Sequence, residues 1–295
     1  MTLDRETGAP PVERLGPSDL LDVFAFLDRD PVLNVYLLAL AMRDGLAHPR
    51  DEFWAARRDG ELVALVYLGS QSGAVLPCGG DAAALAALSA LTLRRLPALP
   101  RRFQAIGPRG AIDTLVARLA DADLRPRIHR AQSYLAIGRG ALAAFERLPE
   151  LSPARPQDHA IVYETGALLR AEELDEDPRS VDPAAYARRV EEECRDGYTW
   201  LWKEHGELRF RASVSALTAD AVQISGVYVP PAHRNRGYAR RALSELCARM
   251  LERAGSTCLF VNDFNAPALA VYRRMGFSLH AAWASAFYDR PAPGS

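Results

Sequence analysis

The chain has 295 residues, 49% of them hydrophobic and 25% charged, which suits about two globular units and excludes disorder or a fibrous repeat. Lys plus Arg number 36 against 37 for Asp plus Glu, a net charge of −1, so the balance gives no reason to expect a nucleic-acid or anionic-membrane partner. The first residues carry no charged-then-apolar leader pattern and no stretch approaches the ~18 apolar residues of a membrane span, which makes a cytoplasmic protein the expectation. Cys78, Cys194, Cys247 and Cys258 are widely spaced without a CxxC pair; they read as reduced core thiols, with no zinc site, disulfide framework or other metal expected.

In chain order, a strand is expected at 12–15, a helix from Ser18 and a second helix after Asp30-Pro31. Strands at 53–57 and 61–68 are joined by Asp59-Gly60, a two-residue hairpin signal. A third strand at 74–78, a helix over 81–96, a strand at 102–106, a helix over 108–120 and a strand at 128–137 complete the first half. The proline-rich segment 149–156 reads as a linker.

The second half opens with a strand near 151–155 and a helix from about Asp158 that ends by Asp177-Pro178. Asp182-Pro183 is an N-cap followed by proline in the first turn; Tyr186, Val190 and Cys194 repeat on one face, and Gly197 stops the helix. Strands at 199–203, 208–214 and 221–229 form a meander with turns at His205-Gly206 and Ala219-Asp220. A helix over 239–254, a strand at 257–261, a short helix from Pro267 closed by Gly276, and a strand at 278–288 follow. Both halves therefore read β-α-α-β-β-β-α-β-α-β, a mixed α/β (α+β) sheet with helices on both faces. The duplication shows in element order and not in residue identity, with domains at 1–148 and 149–295.

The most informative segment runs from Val227, Tyr228 and Val229 through two prolines into Arg234, Asn235, Arg236, Gly237, Tyr238 and Ala239. An apolar strand passes through a basic glycine loop into a helix, and a helix start offers unpaired N–H groups and the positive end of the dipole. Gly237 lets backbone approach a phosphate, while Arg234, Arg236, Arg240 and Arg241 add charge. The loop has neither the Gly-Lys-Ser/Thr of a Walker loop nor a GxGxxG fingerprint.

The run 234–239 resembles the R/Q-x-x-G-x-G/A signature of the GNAT acetyltransferases, complete with the V-x-V-x-P strand before it. Downstream, 262–277 is similar to that family's N-x-x-A-x-x-x-Y-x-x-x-G-F segment. The resemblance implies tandem GNAT-like acyl-CoA N-acyltransferase domains and acetyl-CoA as cosubstrate. It implies that the third strand splays from its neighbour, so that backbone groups near Val227 and Val229 meet the pantetheine arm, and that the loop from Arg234 to Ala239 holds the pyrophosphate. Asn265 and Ala268 would contact the coenzyme, and the Tyr272 hydroxyl would face the sulfur as general acid for the departing thiolate. Apart from the resemblance, Tyr272 reads as an aromatic packing its helix against the sheet.

A protonated lysine-like amine titrates near 10.4, so an acceptor must lose a proton before it attacks. The run Glu172-Glu173-Leu174-Asp175-Glu176-Asp177 borders the expected acceptor mouth, with Glu173 the candidate base; the plain alternative is a solvated helix end. His233 is expected near the phosphates or solvent, and His205 exposed in its turn. The first half departs from the pattern at Leu76-Pro77-Cys78-Gly79-Gly80-Asp81, which has no arginine and puts an acid at the helix start, where it caps the N-terminus and repels a pyrophosphate. Its segment from Gly107-Pro108-Arg109-Gly110 has no tyrosine at the matching place, and 28–36 resembles the N-terminal domain of two-domain bacterial GNAT proteins; Gly79-Gly80 stays open as a second ligand site. The expected function is transfer of acetyl from acetyl-CoA to an amine, on a small molecule or on a peptide or protein, by direct attack in a ternary complex, in a monomer or homodimer. The alternative is a non-catalytic CoA- or acyl-CoA-binding sensor or scaffold.

Overall fold

The structure is a computed structural model that describes residues 8–290. The chain divides into two compact units, of which the first holds 8–134 together with 280–290 and the second 135–279. The elements are β1 (Val12–Arg14), α1 (Leu20–Leu27), α2 (Val35–Asp44), β2 (Glu52–Arg58), β3 (Glu61–Leu68), β4 (Ala74–Gly79), α3 (Ala82–Arg95), β5 (Arg102–Pro108), α4 (Arg109–Ala120) and β6 (Ile128–Gly138). After them come β7 (Ser152–Pro153), α5 (His159–Leu174), α6 (Pro178–Val181), α7 (Pro183–Asp196), β8 (Thr199–Glu204), β9 (Glu207–Leu217), β10 (Ala221–Tyr228), α8 (Tyr238–Arg253), β11 (Ser256–Asn262), α9 (Ala266–Met275) and β12 (Ser278–Asp289).

The element order matches the sequence reading with one addition, the single-turn α6, whose start is capped by Asp177 accepting from the Arg179 N–H. The local chemistry behaves as the residues dictate. Asp59 and Gly60 have φ of 52° and 86°, and His205 and Gly206 have 51° and 81°, so β2–β3 and β8–β9 close through two-residue turns with both residues in the left-handed region. In α7 the Asp182 carboxylate accepts from the Ala185 N–H, Tyr186, Val190 and Cys194 are buried, and Gly197 ends the helix at φ 68°. All four cysteines are free and buried.

The strand partners show what periodicity does not. β12 pairs antiparallel with β5 from Trp283↔Pro108 to Asp289↔Arg102, while β6 stands beside β11 in the strand order. β12 thus lies almost wholly in the first unit although it ends the second half of the chain, β6 runs from the first unit into the second, and no single cut in the sequence separates the two compact bodies. In the first unit α3 and α4 cover one sheet face through Leu85, Leu88, Ile112 and Leu115, and α1 and α2 cover the other through Val23, Leu27, Leu37 and Leu38. In the second unit Leu243, Leu246, Met250, Tyr272 and Met275 of α8 and α9 lie over one face. Val162, Tyr186 and Val190 of α5 and α7 lie over the other. Each such leucine or valine contributes about 1.5–3 kcal/mol on full burial.

The segment read as a linker is packed down rather than free. Leu148 and Leu151 are buried, Arg249 on α8 donates to the Leu148 and Leu151 carbonyls, and buried Glu245 accepts from Arg147, Arg249 and the Leu148 N–H. These partners hold the Glu245 carboxyl well below its ordinary range, the Arg147 hydrogen bond most of all. Burial of Leu148 and Leu151 is what a proline-rich composition does not announce.

Candidate functional site

The site in the second unit begins where two neighbouring strands part. β10 and β11 pair in parallel from Ala221↔Ser256 to Gln223↔Cys258, yet β10 continues to Tyr228 and β11 to Asn262. Against β9, the β10 register shifts between Gln223 and Ile224 and again between Ser225 and Tyr228. Gly226 sits in that second irregularity at φ 59°, a conformation that glycine adopts without penalty. Beyond the split, Val227 and Val229 pack toward the α8–α9 face, whereas Tyr228 is buried on the α5–α7 face, where burial pushes its phenol pKa up.

From Val229 the chain turns through a short helical turn at Pro231–His233 into the basic loop. Asn235 and Gly237 are both in the left-handed region, at φ 62° and 81°. Gly237 caps α8 without a side chain, no acid stands in the first turn of the helix, and a Cβ placed on Gly237 would meet nothing within 4 Å. Asn235, Arg236, Gly237 and Arg240 are exposed and Tyr238 and Ala239 partly so. The result is an open helix start with a positive dipole end and unpaired N–H groups, flanked by Arg236 and Arg240, which form no ion pair among the described residues.

Two of the four arginines named for charge are already engaged. Arg234 donates to both carboxylate oxygens of Glu172 at 2.8 and 2.7 Å and to the Val229 carbonyl at 3.1 Å. Arg241 donates to the Arg147 carbonyl, pairs with Glu146 at 2.8 Å and lies over the Trp202 ring. His233 lies against Arg209 and 3.7 Å from Glu207, and His205 is exposed in its turn.

On the far side of the split, the Asn265 side chain accepts from the Ala268 N–H at 3.2 Å and so caps α9, leaving its amide NH₂ group as the free end. Gly276 closes that helix at φ 106°, where a Cβ would run into the Ala141 carbonyl, so the Gly-Phe pair of the motif has a steric reason. Tyr272 is 7% exposed in the α8–α9 core, with the Phe277 ring centre 5.9 Å away. Its phenol makes no hydrogen bond among the described residues. Burial raises its pKa, and the nearby Glu173 carboxylate raises it further. Tyr272 and Glu173, expected from different ends of the domain, are thus brought within electrostatic reach of each other, with Glu173 exposed in the last turn of α5.

The rest of the acidic run is largely matched by cations. Glu172 pairs with Arg234, Glu176 with Arg170 at 3.6 Å and Asp177 with Arg179 at 2.7 Å. One buried cation escaped the sequence reading. Arg211, 4% exposed, reaches from β9 to the Val162 carbonyl at 2.9 Å and the Thr165 hydroxyl at 3.1 Å and sits 3.7 Å from Glu193. Burial lowers its pKa. Gly166 makes the approach feasible, because a Cβ there would lie 2.6 Å from the Tyr186 hydroxyl and 2.9 Å from the Arg211 guanidinium. An isolated glycine within a helical pattern was the available signal.

The corresponding place in the first unit is built shut. Asp81 caps α3 by accepting from the Ala84 N–H at 2.9 Å and pairs with Arg58 at 2.8 Å. β4 and β5 pair at Ala74↔Gln104 and Val75↔Ala105 and stay close beyond, since a Cβ on Gly107 would lie 2.7 Å from the Pro77 carbonyl oxygen. Gly79, at φ 128°, is pressed against Val63 and Ala64 of β3. Among the described residues no cluster of His, Cys, Asp and Glu is arranged to hold a metal ion, and no helix is long and apolar enough to cross a membrane.

No curated protein is a significant match to the chain. Residues 168–277 match the family model described as the acetyltransferase (GNAT) family, a span from the middle of α5 to the Gly276-Phe277 pair. Among solved structures the fold is shared by a GCN5-related N-acetyltransferase from Sphaerobacter thermophilus, at 17% identity and a TM-score of 0.57, covering 96% of each chain. An acetyltransferase from the GNAT family of Colwellia psychrerythraea shares it at 13% identity and 0.54, over 94% of this chain and 99% of that one. A tandem GNAT protein from the clavulanic acid biosynthesis pathway does so at 16% and 0.52, over 96% and 99%. The split strands, the glycine-capped α8 and the α9 motif all lie inside the span 168–277 that matches the acetyltransferase (GNAT) family model, and the chain shares its fold with solved structures of GNAT proteins.

Proposed function

We propose that the second unit binds acetyl-CoA and that the chain is an N-acetyltransferase acting on an amine. The observation that carries this reading is the open start of α8 at Gly237, free of acids and of side-chain caps, beside strands that part after Gln223 and Cys258. An elongated ligand whose arm leads into a pyrophosphate suits both features. Acetyl-CoA supplies the acetyl group as a thioester, which an amine attacks once deprotonated.

The chain's own groups then divide the work. The N–H groups of the loop and first turn, with Arg236 and Arg240, hold the pyrophosphate. Val227 and Val229 offer backbone hydrogen bonds along the split, except that the Val229 carbonyl is already occupied by Arg234. The free amide end of Asn265 and the small Ala268 flank the ligand at the start of α9. Glu173 takes the acceptor's proton directly or through water. Tyr272, protonated well beyond neutral pH because of its burial, serves as hydrogen-bond donor to the thiolate as it forms. An unperturbed thiol titrates near 8.5, below the tyrosine, so full transfer of the tyrosine proton to sulfur is uphill and water delivers the proton that the free thiol finally carries.

Calorimetry with acetyl-CoA tests the site: one molecule should bind per chain, and two equivalent sites would contradict the closed first unit. Thiol release across a panel of small amines and peptide amines tests the activity. Binding without release for any amine would instead favour a CoA-binding sensor or scaffold.

A further inference from the structure

Arg234 opens the loop signature, yet its side chain turns away from the helix start. Each of its three nitrogens already holds an oxygen, one on the Val229 carbonyl and two on the Glu172 carboxylate, and its guanidinium carbon lies 5.8 Å from the Tyr228 ring centre. Glu172 and Glu173 are successive residues in the last turn of α5. One engages the cofactor loop, and the other lies within electrostatic reach of Tyr272 on α9. The end of α5 is therefore connected to both sides of the proposed reaction centre.

We propose that Arg234 and Glu172 form a latch by which filling of the phosphate loop orders the last turn of α5, and with it Glu173. This rests on the acetyl-CoA reading above. Arg234 and Glu172 are 41% and 50% exposed, and an ion pair in water at that exposure is weak. Its two-pronged geometry is strong only when both partners are held in place. The loop from 234 to 237 contains two left-handed residues and is largely exposed, so its tie to α5 through the exposed Arg234–Glu172 pair is a weak one. An anion gripped by its N–H groups immobilises the loop, raises the effective concentration of the guanidinium at Glu172, and so strengthens the pair that is already formed. Three residues after Glu172, Asp175, at φ 52°, ends the helix, so the pair acts on the turn that fraying would loosen first. Arg234 is in this account a positioning residue and not a phosphate ligand.

Hydrogen exchange on the full chain with and without acetyl-CoA reads the coupling without an identified acceptor. In the parent protein acetyl-CoA should slow exchange at 235–241 and also at 170–175. Glu172→Gln should keep loop protection and an acetyl-CoA Kd within about threefold of the parent, as expected for loss of an exposed pair, while protection at 170–175 disappears. Exchanging the charges, Glu172→Arg with Arg234→Glu, should restore it, which a merely structural defect would not. Unchanged α5 protection in Glu172→Gln overturns the latch and leaves the coenzyme reading intact. So does an Arg234→Met variant that weakens acetyl-CoA binding more than about tenfold, roughly 1.4 kcal/mol, when Glu172→Gln does not, because the guanidinium would then be a phosphate ligand. No protection at either segment in the parent removes both readings.

Discussion

Two helices of similar length, α3 and α8, each follow the strand that should part from its neighbour in a GNAT-like sheet, and each follows a glycine-bearing turn. They begin in opposite ways. At α3 the carboxylate of Asp81 sits on the Ala84 N–H and against Arg58, so the positive end of the helix has a resident anion. At α8 the cap is Gly237, with nothing within 4 Å of its missing side chain, and the same dipole end faces solvent. The strands differ in parallel: β4 and β5 stay in close approach at Pro77 and Gly107, while β10 and β11 part after Gln223 and Cys258. One architecture thus leaves a helix start open or caps it through one residue and a strand contact, with no change in element order.

The largest expected effect comes from giving α8 the beginning that α3 has. Gly237→Asp places a carboxylate at the helix start and forces an L-residue to φ 81°, which only glycine takes freely. Acetyl-CoA affinity should fall at least about a hundredfold, roughly 2.7 kcal/mol, in isothermal titration. Retained affinity would mean that the ligand's anion lies elsewhere. A smaller effect is expected where α9 differs from α4. Tyr272→Phe removes the hydroxyl and keeps the packing against Phe277, so the Kd for acetyl-CoA should hold while kcat drops about ten- to a hundredfold, the range for losing one donor to a developing charge. Full turnover in that variant would reduce Tyr272 to a packing residue.

Much of this contrast was legible before the structure. The acid at 81, the glycine at 237, the turns at Asp59-Gly60 and His205-Gly206, and the caps of α7 all act through neighbours a few residues away, which is the range over which composition and spacing speak. Long-range partners were not legible. Nothing in the periodicity of 278–288 says that its strand pairs with β5 rather than within its own half of the chain. The charge of Arg234 was readable, but its capture by Glu172, 62 residues away, was not. Buried Arg211 was missed for the same reason, because an arginine in an alternating strand reads as solvent-facing until α5 and Gly166 are seen above it. The acidic run at the end of α5 was readable as charge, but the arginines that pair with Glu172, Glu176 and Asp177 were not.

The smallest expected effect separates the two causes of closure in the first unit. Asp81→Asn keeps a good helix cap, since asparagine caps about as well as aspartate, and removes the charge that would repel a pyrophosphate. If charge alone closed that site, acetyl-CoA should bind there weakly and the stoichiometry in calorimetry should rise above one. The contact between Gly107 and Pro77 predicts otherwise, because the strands are too close to admit a ligand arm whatever stands at the helix start, and the stoichiometry should stay at one. The variant's other signature is a modest pH-dependent loss of stability. Hydrogen bonds from the Ala84 N–H, above all, and from Arg58 hold the Asp81 carboxyl below its ordinary range in the folded protein. A depressed folded pKa means that the charged form stabilises the fold above the unfolded value of about 3.9 and ceases to do so as pH falls through the folded value. The urea midpoints of parent and variant should therefore differ at neutral pH and converge below pH of about 4. A constant difference across that range would trace the loss to geometry at the cap instead of charge, and a second bound acetyl-CoA would show that Asp81, and not the Pro77–Gly107 contact, is what keeps the first unit closed.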